Sequence, residues 1–198
     1  MSIHERMSRQ EVRGSFAPQV DETRAQILAA VRALVADDEL LSVSAIGRAA
    51  GISRTTFYAH FGGLDGLARA VWAEAAHAID DLFQFDVHTT PDAIPLAIER
   101  LVQHVADHRS LYAAVAALPV SKASHVTNVR AMAVVMTASL EEHGFQPTGL
   151  QAATCARYVA AAVYGLLDAW VTDEIDLTQS ELVEHLIALH PRGPGATG

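Results

Sequence analysis

Apolar residues Ile27, Leu28, Val31, Leu34 and Val35 recur at three- and four-residue intervals, which predicts an amphipathic helix from Asp21 to about Ala36 or Asp37. Asp21, Glu22 and Thr23 suit its N-terminus. A short helix is expected over Val43–Ala50 behind Ser42 as N-cap, and Gly51 then supplies a turn. Ser53 can cap a third helix, which Gly62 and Gly63 stop. Longer periodic stretches follow, from Leu64 to about Phe83 and from Pro91 and Pro95 through Arg109. Ser110–Leu118, Ser121–His143, Thr148–Thr172 and Gln179–Leu189 continue the pattern, with Pro119, "GFQPTG" and "DEIDLT" as the breaks. No segment alternates as a strand would and no internal repeat is visible, so the expectation is an all-α chain of about nine helices.

Composition supports that class. The chain is 51% hydrophobic but only 6% aromatic, so its core is built mainly from Ala, Leu, Val and Ile. One cysteine, Cys155, excludes an intrachain disulfide and suits a reducing compartment. No apolar run follows a basic start, so no signal peptide is expected. The longest apolar run, Tyr158 to Leu167, is too short for a bilayer. These features predict a cytoplasmic protein with no membrane partner.

A net charge of −9 argues against general nucleic-acid binding, but the charge is unevenly distributed. Residues 1–60 hold seven Arg against seven acids, while residues 61–198 hold seven basic residues against sixteen acids. The neutral part also contains "AAGISRTTFYAHF" (Ala49–Phe61). Two short helices around a glycine, with Ile46, Ala50, Ile52 and Phe57 to lock them, satisfy the requirements of a helix-turn-helix. The second helix would then present Arg54, Thr55, Thr56, Tyr58 and His60, whose side chains hydrogen-bond phosphates and base edges.

The segment from Thr23 to Val71, and "AAGISRTTFYAHF" above all, resembles the DNA-binding domain of TetR/AcrR-type transcriptional regulators. The resemblance implies an N-terminal three-helix DNA-binding domain followed by a larger helical domain for ligand binding and dimerisation. On that pattern the domains are an arm at 1–20, the DNA-binding unit at 21–66, the larger domain at 67–190 and a disordered tail at 191–198. Ser53, Thr56, Tyr58 and His60 would grip phosphate, Arg54 and Thr55 would face the bases, and Thr23 would offer a hydroxyl or amide to phosphate. Four positions depart from the family's usual pattern: Gly47 for Ala, a short "DDELLS" link without its glycine, Leu64 for Lys, and the small Ala59. Residues 21–66 consequently carry four Arg against six acids, so affinity should depend shallowly on salt. Arg6, Arg9 and Arg13 in the arm are candidates to compensate in a minor groove.

The family pattern makes the partners an operator in double-stranded DNA, a second copy of the chain and a small effector. Candidate liners of an effector pocket are Trp72, Phe83, Leu101, His104, His108, Tyr112, Met132, Met136, Cys155 and Tyr158. Their mostly apolar character suggests a lipophilic or aromatic effector. Ala161, Gly165, Trp170, Leu182, Leu186 and Leu189 are the candidate homodimer contacts, on two wide apolar helices at the chain end. No cofactor, metal or catalytic residue is expected. The competing reading is a helical small-molecule-binding protein or a metal-dependent enzyme that uses the His104-x-x-x-His108 pair.

Overall fold

The computed structural model describes residues 22–78, 93–119, 126, 127, 129, 130, 133, 134, 137 and 151–189. Among them every regular element is an α-helix. The chain forms two compact units, Met1–Gly66 and Leu67–Gly198.

In the first unit, helix α1 spans residues 22–36 and buries Ile27, Ala30, Val31 and Leu34, one face at the spacing its sequence dictates. It ends without glycine. Asp38 adopts a left-handed conformation at φ 57°, Asp38 N–H reaches the Val35 carbonyl at 3.1 Å, and Glu39 N–H reaches the Leu34 carbonyl at 2.8 Å. These two bonds form a Schellman motif, so an aspartate fills the role for which the link "DDELLS" has no glycine. A left-handed backbone is strained for a residue with a Cβ. Asp38→Gly is expected to raise stability by about 0.5 kcal/mol, read as a higher midpoint in chemical denaturation.

Helix α2 (Val43–Ala49) starts at Ser42, whose hydroxyl accepts the Ala45 N–H at 3.1 Å. Gly51, at φ 64°, turns the chain into α3 (Arg54–Phe61). The two helices pack closely at the turn: Ile52 N–H bonds the Gly47 carbonyl at 2.9 Å, and a Cβ on Gly47 would lie 3.1 Å from the Ile52 carbonyl oxygen. That close approach is what the glycine at position 47 permits. Gly62 ends α3 at φ 70° in the left-handed region, with its N–H on the Tyr58 carbonyl. Ile46, Phe57 and Phe61 are buried, and the two phenyl rings stack with centroids 5.6 Å apart. Arg24 of α1 lies 4.8 Å above the Phe61 ring, and Gln26 donates to the Ala50 carbonyl at 2.9 Å. Both side chains tie α1 to the helix-turn-helix.

The boundary between the units falls within α4 (Leu64–His77). The second unit continues with α5 (Ala93–Asp107), α6 (Arg109–Ala116), α7 (Ala152–Val171) and α8 (Gln179–Leu189), besides helical positions among 126–137. Helix α8 packs against α5, and α6 against α7. At the centre Trp72 stands between Tyr112 and Tyr164, each ring centroid 4.7 Å from the indole. Helix α7 closes as α1 does, with Asp173 left-handed at φ 58° and Glu174 N–H on the Ala169 carbonyl.

Thr178 and Glu181 open α8 as a capping box: the Glu181 carboxylate accepts the Thr178 N–H at 2.8 Å and its hydroxyl at 2.7 Å. The hydroxyl bond, then the backbone bond, hold the Glu181 carboxyl below its ordinary range. A carboxyl lowered on folding stabilises the fold above its unfolded pKa and loses that contribution as pH falls through the folded value. Glu181→Gln is therefore expected to reduce thermal stability at neutral pH, with the difference from wild type shrinking on acidification.

Candidate nucleic-acid interface

The short helix α3 owes its position to caps at both ends and to two buried phenylalanines on one face. Its other face is polar. Ser53, Arg54, Thr55, Tyr58 and Ala59 are exposed, and Thr56 and His60 are half-buried. Tyr58 is 52% exposed although its ring meets Phe57 edge-on at 5.9 Å, which fixes the ring and leaves the phenol end in solvent. Six of the seven DNA-contact candidates are thus on or next to one short helix. Thr23 is apart from them, half-buried near the start of α1.

Ser53 and Thr56 have a structural task as well. The Ser53 hydroxyl accepts the Thr56 N–H at 3.0 Å and shares a hydrogen bond of 2.8 Å with the Thr56 hydroxyl. One hydroxyl proton lies between the two oxygens, so the pair retains one proton for an outside acceptor. The first N–H groups of a helix have no acceptor within it, so the amides at the start of α3 share this capacity. The arrangement can bind anionic oxygen through hydroxyls, amides and one guanidinium. His60 contributes its carbonyl, which Arg24 approaches at 3.5 Å, so its main chain is part of the α1–α3 junction.

The sequence reading missed two residues here. Gln26 carries no motif, but its side chain crosses to the turn between α2 and α3. Ser44 carries no motif, but its hydroxyl accepts a hydrogen bond from Arg54 Nη2.

Residues 27–71 match the family model described as bacterial regulatory proteins, tetR family. Over those residues, which include the helix-turn-helix, the chain is similar to the TetR family. Solved structures of TetR-like fold agree along most of its length. A TetR-family transcriptional repressor, FadR of Thermus thermophilus, solved with lauroyl-CoA, superposes with a TM-score of 0.65 at 15% identity over 88% of this chain and 99% of that one. NalD of Pseudomonas aeruginosa, the secondary repressor of the MexAB-OprM multidrug efflux pump, gives 0.56 at 18% identity over 86% and 94%. EbrR, a multidrug binding protein complexed with imidazole, gives 0.53 at 16% identity over 88% and 98%. A search of curated proteins by sequence finds no match.

The TetR-like second unit places the other candidates in three groups. Trp72, Leu101, Tyr112 and Cys155 are buried in its core, and burial pushes the Cys155 thiol up. Tyr158 departs from the expectation of a pocket liner: it is 60% exposed, because α7 is apolar around much of its circumference and buries the face carrying Cys155, Val159 and Trp170 instead. Phe83, Met132 and Met136 lie outside the described residues.

The histidine pair is bonded internally. His104 Nε2 bonds the Tyr112 hydroxyl at 3.0 Å and His108 Nδ1 meets the His104 carbonyl at 2.9 Å. No group of three or more metal-ligating side chains occurs among the described residues. No described helix is long and apolar enough to cross a membrane.

The dimer candidates also divide. Trp170, Leu182 and Leu186 are buried within the protomer, the two leucines because α8 packs on α5. All three therefore pack in the core of the single chain. Ala161 and Leu189 are exposed and Gly165 is half-buried. A surface groove of about 570 Å³ between α5 and α8 is lined by Leu96, Arg100, Gln103, Val183 and Ile187 among others, and by none of the expected pocket residues.

Proposed function

We propose that the protein is a transcriptional repressor that binds a near-palindromic operator as a homodimer and releases it when a small, mostly apolar effector enters the C-terminal domain. The exposed polar face of α3, capped at both ends and backed by Phe57 and Phe61, is the observation that carries this reading. Such a helix fits a major groove, where hydroxyls and amides hold phosphate while longer side chains reach the bases. With four Arg against six acids in residues 21–66, one copy binds weakly, and two half-sites in a dimer supply the affinity. The stripe of exposed Tyr158 and Ala161 and half-buried Gly165 on α7 is the surface left for pairing with a second copy, together with Leu189.

The lauroyl-CoA of the FadR structure and the multidrug role of EbrR support an effector with substantial apolar surface. Release requires the effector to favour a conformation whose two recognition helices no longer match one helical turn of DNA. A mobility-shift assay with DNA flanking the protein's own gene tests the reading. Expected is a discrete, competitor-resistant complex, dissolved by a medium-chain acyl thioester or aromatic effector. Binding no tighter than to scrambled DNA refutes operator recognition.

A further inference from the structure

We infer that Ser44 is a positioning residue that aims Arg54 at a guanine, so the two side chains together set the base preference at one position of each operator half-site. The inference rests on the DNA-binding reading above and goes beyond it to a residue outside the recognition helix. Arg54 is the first residue of α3 and Ser44 the second of α2. Both are exposed, and the Ser44 hydroxyl accepts from Arg54 Nη2. An arginine at the start of an exposed helix ordinarily samples many rotamers, and fixing it on binding costs side-chain entropy. The hydrogen bond to a residue anchored in the preceding helix removes part of that freedom in advance. It uses one of five guanidinium donors. Four remain: the Nε N–H, and one N–H on Nη2 with both on Nη1, which supply the end-on fork that matches guanine O6 and N7. An amide or carboxylate at position 44 would hold the guanidinium differently, and alanine would leave it free.

The full-length protein, with Ser44→Ala, Ser44→Thr, Arg54→Ala and Arg54→Lys variants, is used to select bound sequences from random duplex DNA. The wild type is expected to enrich a two-fold symmetric motif with guanine at one position per half-site. Arg54→Ala should lower that guanine preference by about 10-fold or more while retaining the rest of the motif. Arg54→Lys keeps the charge but loses the fork, and should also relax the position. Ser44→Ala should weaken the same preference by about 2–5-fold, and Ser44→Thr, which retains the hydroxyl, should restore it. Thermal unfolding of each variant at the wild-type midpoint excludes misfolding as the cause. A wild-type motif from Arg54→Ala or from Ser44→Ala overturns the inference, as does uniform loss of affinity without change of motif in Ser44→Ala. A wild-type protein that enriches no sequence refutes the DNA-binding reading and this inference with it.

Discussion

Phe57→Ala is expected to abolish specific DNA binding while leaving the second unit folded. Phe57 is fully buried, stacks on Phe61 and meets Tyr58 edge-on, so its ring is the centre of the buried face of α3. Truncating a buried phenylalanine to alanine costs about 3–5 kcal/mol. A unit of fewer than seventy residues has only a few kcal/mol of stability in total. Apparent affinity falls with the fraction of competent protein, so operator binding should weaken by at least about tenfold. Both tryptophans, Trp72 and Trp170, belong to the second unit and report on it alone. The expected result is a loss of helical circular dichroism with an unchanged tryptophan-fluorescence transition. Concerted loss of both signals would show that the units unfold together and refute the separation.

That separation is electrostatic as well as geometric. Residues 1–60 are neutral and the acidic excess of the chain lies beyond them, so the strongly acidic part is not the part proposed to meet DNA. Within the first unit, Arg24 caps an aromatic ring, Arg48 lies 3.5 Å from Glu39, and Arg54 is held by Ser44. These three cations are engaged with the protein, so the proposed phosphate contacts fall mainly on hydroxyls and amides. Neutral donors of this kind release no counterions, the physical basis for the shallow salt dependence expected of the complex.

The helix-turn-helix was legible in the sequence because its determinants are local. Ser42, Ser53, Gly51 and Gly62 each act on backbone groups within a few residues of themselves, and the structure uses each one as the local chemistry demands. The end of α1 was less legible, since aspartate at a left-handed position is a minority choice and only the geometry reveals it. The Ser44–Arg54 bond depends on how two helices cross, which no periodicity encodes. In the second unit the apolar pattern fails for another reason. Helix α7 has alanine, valine or leucine on nearly every face, so the sequence could not distinguish the buried side of Cys155 and Trp170 from the exposed side of Tyr158 and Ala161. Likewise Leu182 and Leu186 announce an apolar face on α8 without saying whether α5 or a second chain covers it.

Trp170→Ala is expected to be the most damaging single change in the second unit. The indole is buried, and it is held at its edge and across its face. Its N–H donates to the Leu177 carbonyl at 2.8 Å, which fixes the turn between α7 and α8. The Arg109 guanidinium lies 4.5 Å above the ring, and the same Nη2 donates to the Trp170 carbonyl at 2.5 Å and to Asp173 at 2.7 Å. Removing the ring forfeits its burial, leaves the Leu177 carbonyl without its indole partner and strips Arg109 of its aromatic support, at a cost of about 3–5 kcal/mol. Arg109→Ala removes only the clamp and retains the ring. Its bonds to a carbonyl and to an exposed carboxylate are together worth about 1–2 kcal/mol. Urea unfolding followed by circular dichroism should therefore rank the variants Trp170→Ala, then Arg109→Ala, then wild type in rising stability. The double variant should be less destabilised than the sum of the two, because both changes break the same cation–ring contact. Additive effects would show that the guanidinium holds the backbone of α7 rather than the indole, and would assign the clamp to the Asp173 turn alone.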